Sequence, residues 1–197
     1  MAIPYSVIYL VVDITDASRI IVAYTEILHM NDTCDSVIRL LEADASRLNK
    51  EAILEAQASA GNDELFEGIR LALDCMVTFG VKKVPSHGGP DGQGLPWAAF
   101  RELAMLLSTR QLTGNDARKA IDLALGASKQ SEWNDWYRRI LIKDLRCGVS
   151  DKTVNKVTAK KWPKYAVSVF SCQLAHDSTN HESKVNGKKL IEVKLDG

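Results

Sequence analysis

The 197-residue chain is 46% hydrophobic and 25% charged, an ordinary globular balance that excludes a low-complexity or fibrous class. Its formal net charge is zero but unevenly spread. Residues 1–67 hold twelve Asp/Glu and four Lys/Arg, whereas residues 131–165 hold nine Lys/Arg and four acids, so a neutral total hides a basic segment suited to an anionic partner.

The chain opens on IPYSVIYLVVDI, an apolar run of about ten residues, where a bilayer span needs about 20. No basic n-region precedes it and no small-residue cleavage site follows, so it reads neither as a span nor as a signal peptide. Residues 1–34 are an N-terminal extension, and Met30 offers a second plausible start. Cys34, Cys75, Cys147 and Cys172 form no CxxC pair, and none lies at zinc-finger spacing from a histidine. Free thiols in a cytoplasmic setting are the expectation. His176 and His181 stand in a polar stretch and read as solvent-facing.

From residue 35 to about 160 the hydrophobic period is helical. Asp35 or Ser36 is the expected cap of a first helix through Val37, Ile38, Leu40 and Leu41. SRLNKEAILEAQAS predicts a second helix, closed by Gly61–Asn62. DELFEGIRLALDCMVTFG predicts a third, with Leu65, Phe66, Ile69, Leu73 and Met76 near one face and a stop at Gly80. VPSHGGPDGQGLP, residues 84–96, is dense in Gly and Pro and reads as a surface loop. It lacks the GxxxxGK[ST] of a phosphate-cradling loop. WAAFRELAMLLSTRQ places Trp97, Phe100, Leu103, Ala104 and Leu107 in the core, and Thr113 precedes a further helix ending near Gly126.

Residues 131–157 carry the most information. Ser131 is the expected cap of a helix whose apolar stripe is Trp133, Trp136, Tyr137, Ile140, Leu141 and Leu145. Gly148 is expected to close it, and Ser150 to cap another helix with Val154 and Val157 inward and Lys152 and Lys156 outward. A helix start beside Arg146, Ser150 and Lys152 offers free N–H groups and a bidentate guanidinium to a phosphodiester. No array of Asn, Gln or Arg for reading base edges is present, so the expected grip is on the backbone, with little sequence preference and strong salt dependence.

After Trp162–Pro163 the pattern turns strand-like in YAVSVFSCQLA, passes a polar connector, and alternates again in KKLIEVKLDG. A domain boundary is expected near residue 165. Lys194, at a strand end before Asp196–Gly197, can act as a nucleophile once desolvation or a nearby cation such as Mg2+ lowers its pKa. Asp-Gly after a strand is equally an ordinary hairpin turn.

LTGN at 112–115, RRILIKDLRCGVSDKTVNKV at 138–157, QLAHDS at 173–178 and EVKLDG at 192–197 occur in that order. Together they resemble ATP-dependent DNA ligases, particularly those of phages with a helical DNA-binding domain ahead of the nucleotidyltransferase domain. The resemblance runs from about residue 35 to the end and is most specific over 138–157. It implies a mainly α fold: a helical bundle DNA-binding domain over 35–165, then a short β-containing start of a nucleotidyltransferase domain over 166–197, truncated after motif I. It implies that Lys194 attacks the α-phosphate of ATP, releases pyrophosphate and carries AMP as a phosphoramidate. Glu192 resembles the position that accepts from the adenine amino group, and Asp196 and Gly197 complete motif I. AMP then passes to the 5′-phosphate of a nick, and the 3′-hydroxyl displaces it with Mg2+ assistance, as replication, repair and recombination require. Arg146, Gly148 and Ser150 match the phosphate-contacting turn. Arg139, Lys143, Lys152 and Lys156 join them as candidate DNA contacts from charge and placement.

The family's further nucleotide-binding motifs, metal carboxylates and OB-fold are not in this sequence. The expectation is therefore a monomeric fragment in the host cytoplasm that binds duplex or nicked DNA and does not adenylylate itself. The rival expectations are a stand-alone helical nucleic-acid-binding module and a purely structural helical domain.

Overall fold

The computed structural model describes residues 33–170 and 187–188. Among them the fold is mainly helical and contains no strand. The described helices are α1 (Cys34–Ala43), α2 (Arg47–Ser59), α3 (Asp63–Leu73), α4 (Trp97–Ser108), α5 (Gly114–Ala127), α6 over 130–141 and α7 (Asp151–Lys161), with a 3-10 turn at Pro163–Tyr165. Residues 166–170, read as strand-like from the sequence, are not in a strand. The remainder of the expected nucleotidyltransferase start, and the N-terminal extension before Thr33, lie outside the described residues.

One core joins these helices. Val37, Ile38, Leu41, Leu54, Leu65, Ile69, Phe100 and Leu107 are fully buried, as are Trp133 and Ile140. Each aliphatic side chain of this size contributes about 1.5–3 kcal/mol on burial. α6 lies against α1 and α3, α4 against α5, and α2 against α7. Phe100 stacks on Tyr137 at 4.2 Å and Phe66 on Tyr165 at 4.3 Å, so the turn after α7 closes over α3.

Capping follows local chemistry. Ser46 Oγ accepts from Asn49 N–H, Asn62 Oδ1 from Leu65 N–H and Ser150 Oγ from Thr153 N–H, so α2, α3 and α7 each start on a side chain that satisfies a first-turn donor. α1 departs from expectation. Its cap is Thr33, without a side-chain cap bond, because Asp35 sits inside the first turn and pairs one turn on with Arg39 at 3.3 Å.

α3 stops at Leu73, seven residues short of Gly80. Asp74 is extended, and its carboxylate accepts from Met76 N–H at 2.9 Å in a local turn that competes with helix. Met76 is consequently 71% exposed, and Phe79 takes the place in the core.

α6 also ends early, at Leu141, and begins after Lys129, not Ser131. It contains a π-helical segment over Trp133–Tyr137. The wider turn carries Trp133, Trp136 and Tyr137 into the core while Asn134 and Arg138 meet the 84–96 loop. That loop lies at the surface, as expected, and is pinned to α6. Trp133 Nε1 donates to Pro85 O, Tyr137 Oη to Leu95 O and Arg138 Nε to Val84 O, while Asn134 exchanges two bonds with the His87 backbone. A loop dense in Gly and Pro forms little regular structure, so its backbone groups are satisfied by the side chains of α6.

Candidate nucleic-acid interface

Of the seven residues singled out for DNA contact, Arg139 lies on α6, and the other six fall on the turn between α6 and α7 or on α7 itself. The turn is unusual in its backbone. Lys143, Arg146 and Gly148 all have positive φ, at 63°, 55° and 66°. Two of the three are not glycine, a conformation that costs about 1–2 kcal/mol each unless the surroundings hold it.

Three cations hold it. Arg139 Nη1 donates to Leu145 O at 2.9 Å, and its Nη2 pairs with Asp135 at 2.8 Å and Glu42 at 2.7 Å. Lys143 Nζ donates to Leu71 O at 2.8 Å and Asp74 O at 2.6 Å, covering the C-terminal carbonyls of α3. Lys50, from α2, donates to Cys147 O at 2.7 Å. Burial holds the Lys143 ammonium below the usual lysine value.

The seven candidates therefore divide. Arg139 is buried and Lys143 half-buried, both spent on internal carbonyls and carboxylates. Arg146, Gly148, Ser150 and Lys152 are exposed and lie within one turn and the first turn of α7. Among the described residues Arg146 has only Asp144 beside it, at 3.7 Å. Lys156 is exposed but pairs with Glu51 at 2.6 Å, and its ammonium holds that carboxyl below the usual range. Glu51, 13% exposed, also pairs with Arg47 at 2.9 Å, so the exposed Lys156 can leave it for a phosphate without stranding the carboxylate. Lys161 and Glu55 repeat the arrangement one turn on.

Around Ser150 the chemistry suits an anion. Ser150 Oγ occupies Thr153 N–H, and the N–H groups of Asp151 and Lys152 have no intrahelical partner, as at any helix start. A cavity of about 480 Å³ elsewhere is lined by Asp35, Glu64 and Glu132 against Arg39 and Lys129, an excess of carboxylates that disfavours phosphate. Among the described residues no cluster of three or more His, Cys, Asp or Glu is placed to hold a metal ion, and no helix is long and apolar enough to cross a membrane. Lys194, Glu192, Asp196 and Gly197 lie outside the described residues.

Lys50 was not legible as part of this site. It is 97 residues from its partner Cys147, and only the packing of α2 on α7 brings them together.

Two solved structures resemble this chain in sequence and fold. One, named "Pmar-Lig_PreS3", is 53% identical, with a TM-score of 0.71 over 78% of this chain and 35% of its own. Another, named "Pmar-Lig_Pre.", is 52% identical, with a TM-score of 0.71 over 79% of this chain and 36% of its own. The chain thus spans about a third of the length of these structures. No family model matches the chain, and no curated protein matches it.

Proposed function

We propose that this chain grips duplex DNA through its sugar-phosphate backbone, as the helical DNA-binding part of an ATP-dependent DNA ligase. The observation that carries the reading is the exposed grouping of Arg146, Gly148, Ser150 and Lys152 at the start of α7, braced from behind by Arg139, Lys143 and Lys50. The likeness to solved structures whose names contain "Lig" supports the ligase half of the proposal.

On this reading the guanidinium of Arg146 takes phosphate oxygens in a fork, and the first amides of α7 take another. Lys152 and Lys156 add charge along the strand, Lys156 by leaving Glu51. Lys194 is the proposed nucleophile: its neutral amine displaces pyrophosphate from ATP, loses a proton and holds AMP through a P–N bond. Transfer of that AMP to a 5′-phosphate restores the amine, and the 3′-hydroxyl then expels AMP to close the nick. Glu192, Asp196 and Gly197 are assigned to holding the nucleotide.

Fluorescence anisotropy of labelled duplexes against salt tests the DNA-binding proposal. Unrelated sequences should bind alike, with log K falling linearly against log salt at about −0.9 per phosphate contacted. Absence of binding at about 50 mM salt, or strong preference for one sequence, overturns it. The alternative of a DNA-binding module without catalysis differs at Lys194: nick joining by the full protein that survives Lys194→Ala favours that alternative.

A further inference from the structure

The turn that presents Arg146 and Gly148 is fixed by peptide planes whose carbonyls are held inward. No cis peptide occurs among the described residues, so the C=O of one residue and the N–H of the next point opposite ways. Arg139 draws Leu145 O inward, which turns the Arg146 N–H outward, where Asp144 Oδ1 accepts it at 3.0 Å. Lys50 draws Cys147 O toward α2 at 2.7 Å, which turns the Gly148 N–H away from α2. Among the described residues that amide has no acceptor, and Gly148 is exposed.

Gly148 also cannot be replaced freely. Its φ of +66° disfavours any side chain, and a Cβ there would lie 2.7 Å from Lys50 Nζ. The ammonium therefore rests directly behind the glycine. This single lysine orients the peptide, occupies the space a side chain would need, and adds a positive charge under the outward amide.

We propose that Lys50 is a positioning residue of the phosphate grip: by holding Cys147 O it aims the Gly148 N–H at a DNA phosphate beside Arg146. The inference rests on the DNA-binding reading above. It adds a donor to that site from the backbone, and assigns its orientation to a residue on another helix.

The experiment combines two readouts on the intact chain, both taken at low temperature where weakened variants stay folded. Anisotropy gives affinity for a labelled duplex, and a ¹⁵N–¹H correlation spectrum follows the Gly148 amide during titration. Lys50→Met should weaken binding about tenfold or more and abolish the shift of the Gly148 amide on DNA addition. Lys50→Arg, which keeps a charged donor, should restore both. Lys160→Met, at the far end of α7, should cost less affinity and leave the Gly148 response intact. Wild-type affinity in Lys50→Met, or an unchanged Gly148 response, overturns the proposal, as does failure of Lys50→Arg to restore either. If the wild-type chain binds no duplex, the DNA-binding reading itself falls. The Gly148 resonance of free Lys50→Met then still reports whether Lys50 sets the turn, so the two failures are distinguishable.

Discussion

The indole of Trp136 lies directly on Gly68 of α3: a Cβ built there would meet Trp136 Cζ2 at 2.2 Å and Cη2 at 2.4 Å, with Ile140 Cδ1 at 2.9 Å. The same indole stacks on Trp97 at 6.0 Å, so it cannot retreat without disturbing α4. In an open helix, Gly→Ala would gain about 1 kcal/mol from propensity. Here overpacking outweighs that gain, and Gly68→Ala should lower the unfolding free energy by about 1–3 kcal/mol. Urea denaturation followed by tryptophan fluorescence measures it.

Arg139 belongs to the frame of the turn. Its side chain is 8% exposed, and removing it leaves the Leu145 carbonyl without its donor and Asp135 with only the longer contact to Arg39 at 3.9 Å among the described residues. Glu42, 45% exposed, recovers solvent and limits the damage. Arg139→Met should therefore cost about 2 kcal/mol of stability. In chemical denaturation the midpoint should fall with the slope unchanged.

Arg146 is the opposite case. Exposed, and among the described residues paired only with Asp144, it should be dispensable for folding: Arg146→Ala shifts the unfolding free energy by less than about 0.5 kcal/mol. Its loss should weaken binding to all duplexes alike and reduce the salt slope by about 1. Asp144→Asn should act the other way, tightening binding, because the neutral amide oxygen still accepts the Arg146 N–H but no longer competes for the guanidinium.

Glu64 gives a pH signature. Burial raises its carboxyl above the usual glutamate value, against the Cys34 thiol that donates to it at 3.5 Å. The folded chain therefore binds more protons than the unfolded chain between the ordinary value and the raised one. That contribution to stability is complete below the ordinary value and is lost as pH rises through the raised value. Glu64→Gln should remove this dependence, so its melting temperature relative to wild type should rise as the pH is taken from the ordinary glutamate value up through the raised one. A constant difference across that range overturns the assignment.

The helices were legible where periodicity and capping agreed, as in α2 with Ser46 and α7 with Ser150. Helix ends were not legible where a distant side chain set them. α3 was expected to run to Gly80, but Asp74 turns the chain and Lys143 covers the freed carbonyls. Gly148 was read as the cap of α6, yet that helix closes at Leu141, and two non-glycine residues take the left-handed conformation first. Positive φ at Lys143 and Arg146 follows from bonds to Leu71, Asp74 and Asp144, two of them about 70 positions away. The same limit applies to charge. A run of basic residues shows on the sequence, but whether each cation faces water or a carbonyl depends on packing, and Arg139 and Lys143 face inward.

The clasp between Asp63 and the pair Lys164 and Tyr165, at 2.7 and 2.6 Å, spans more than a hundred positions, as does Glu51 with Lys156. On the ribosome, at about 5–20 residues per second, α2 and α3 leave the tunnel roughly 5–20 s before the segment that covers them. Through that interval Leu54, Phe66 and their neighbours on α2 and α3 stay uncovered, so closure of this core waits for α7 and the turn that follows it.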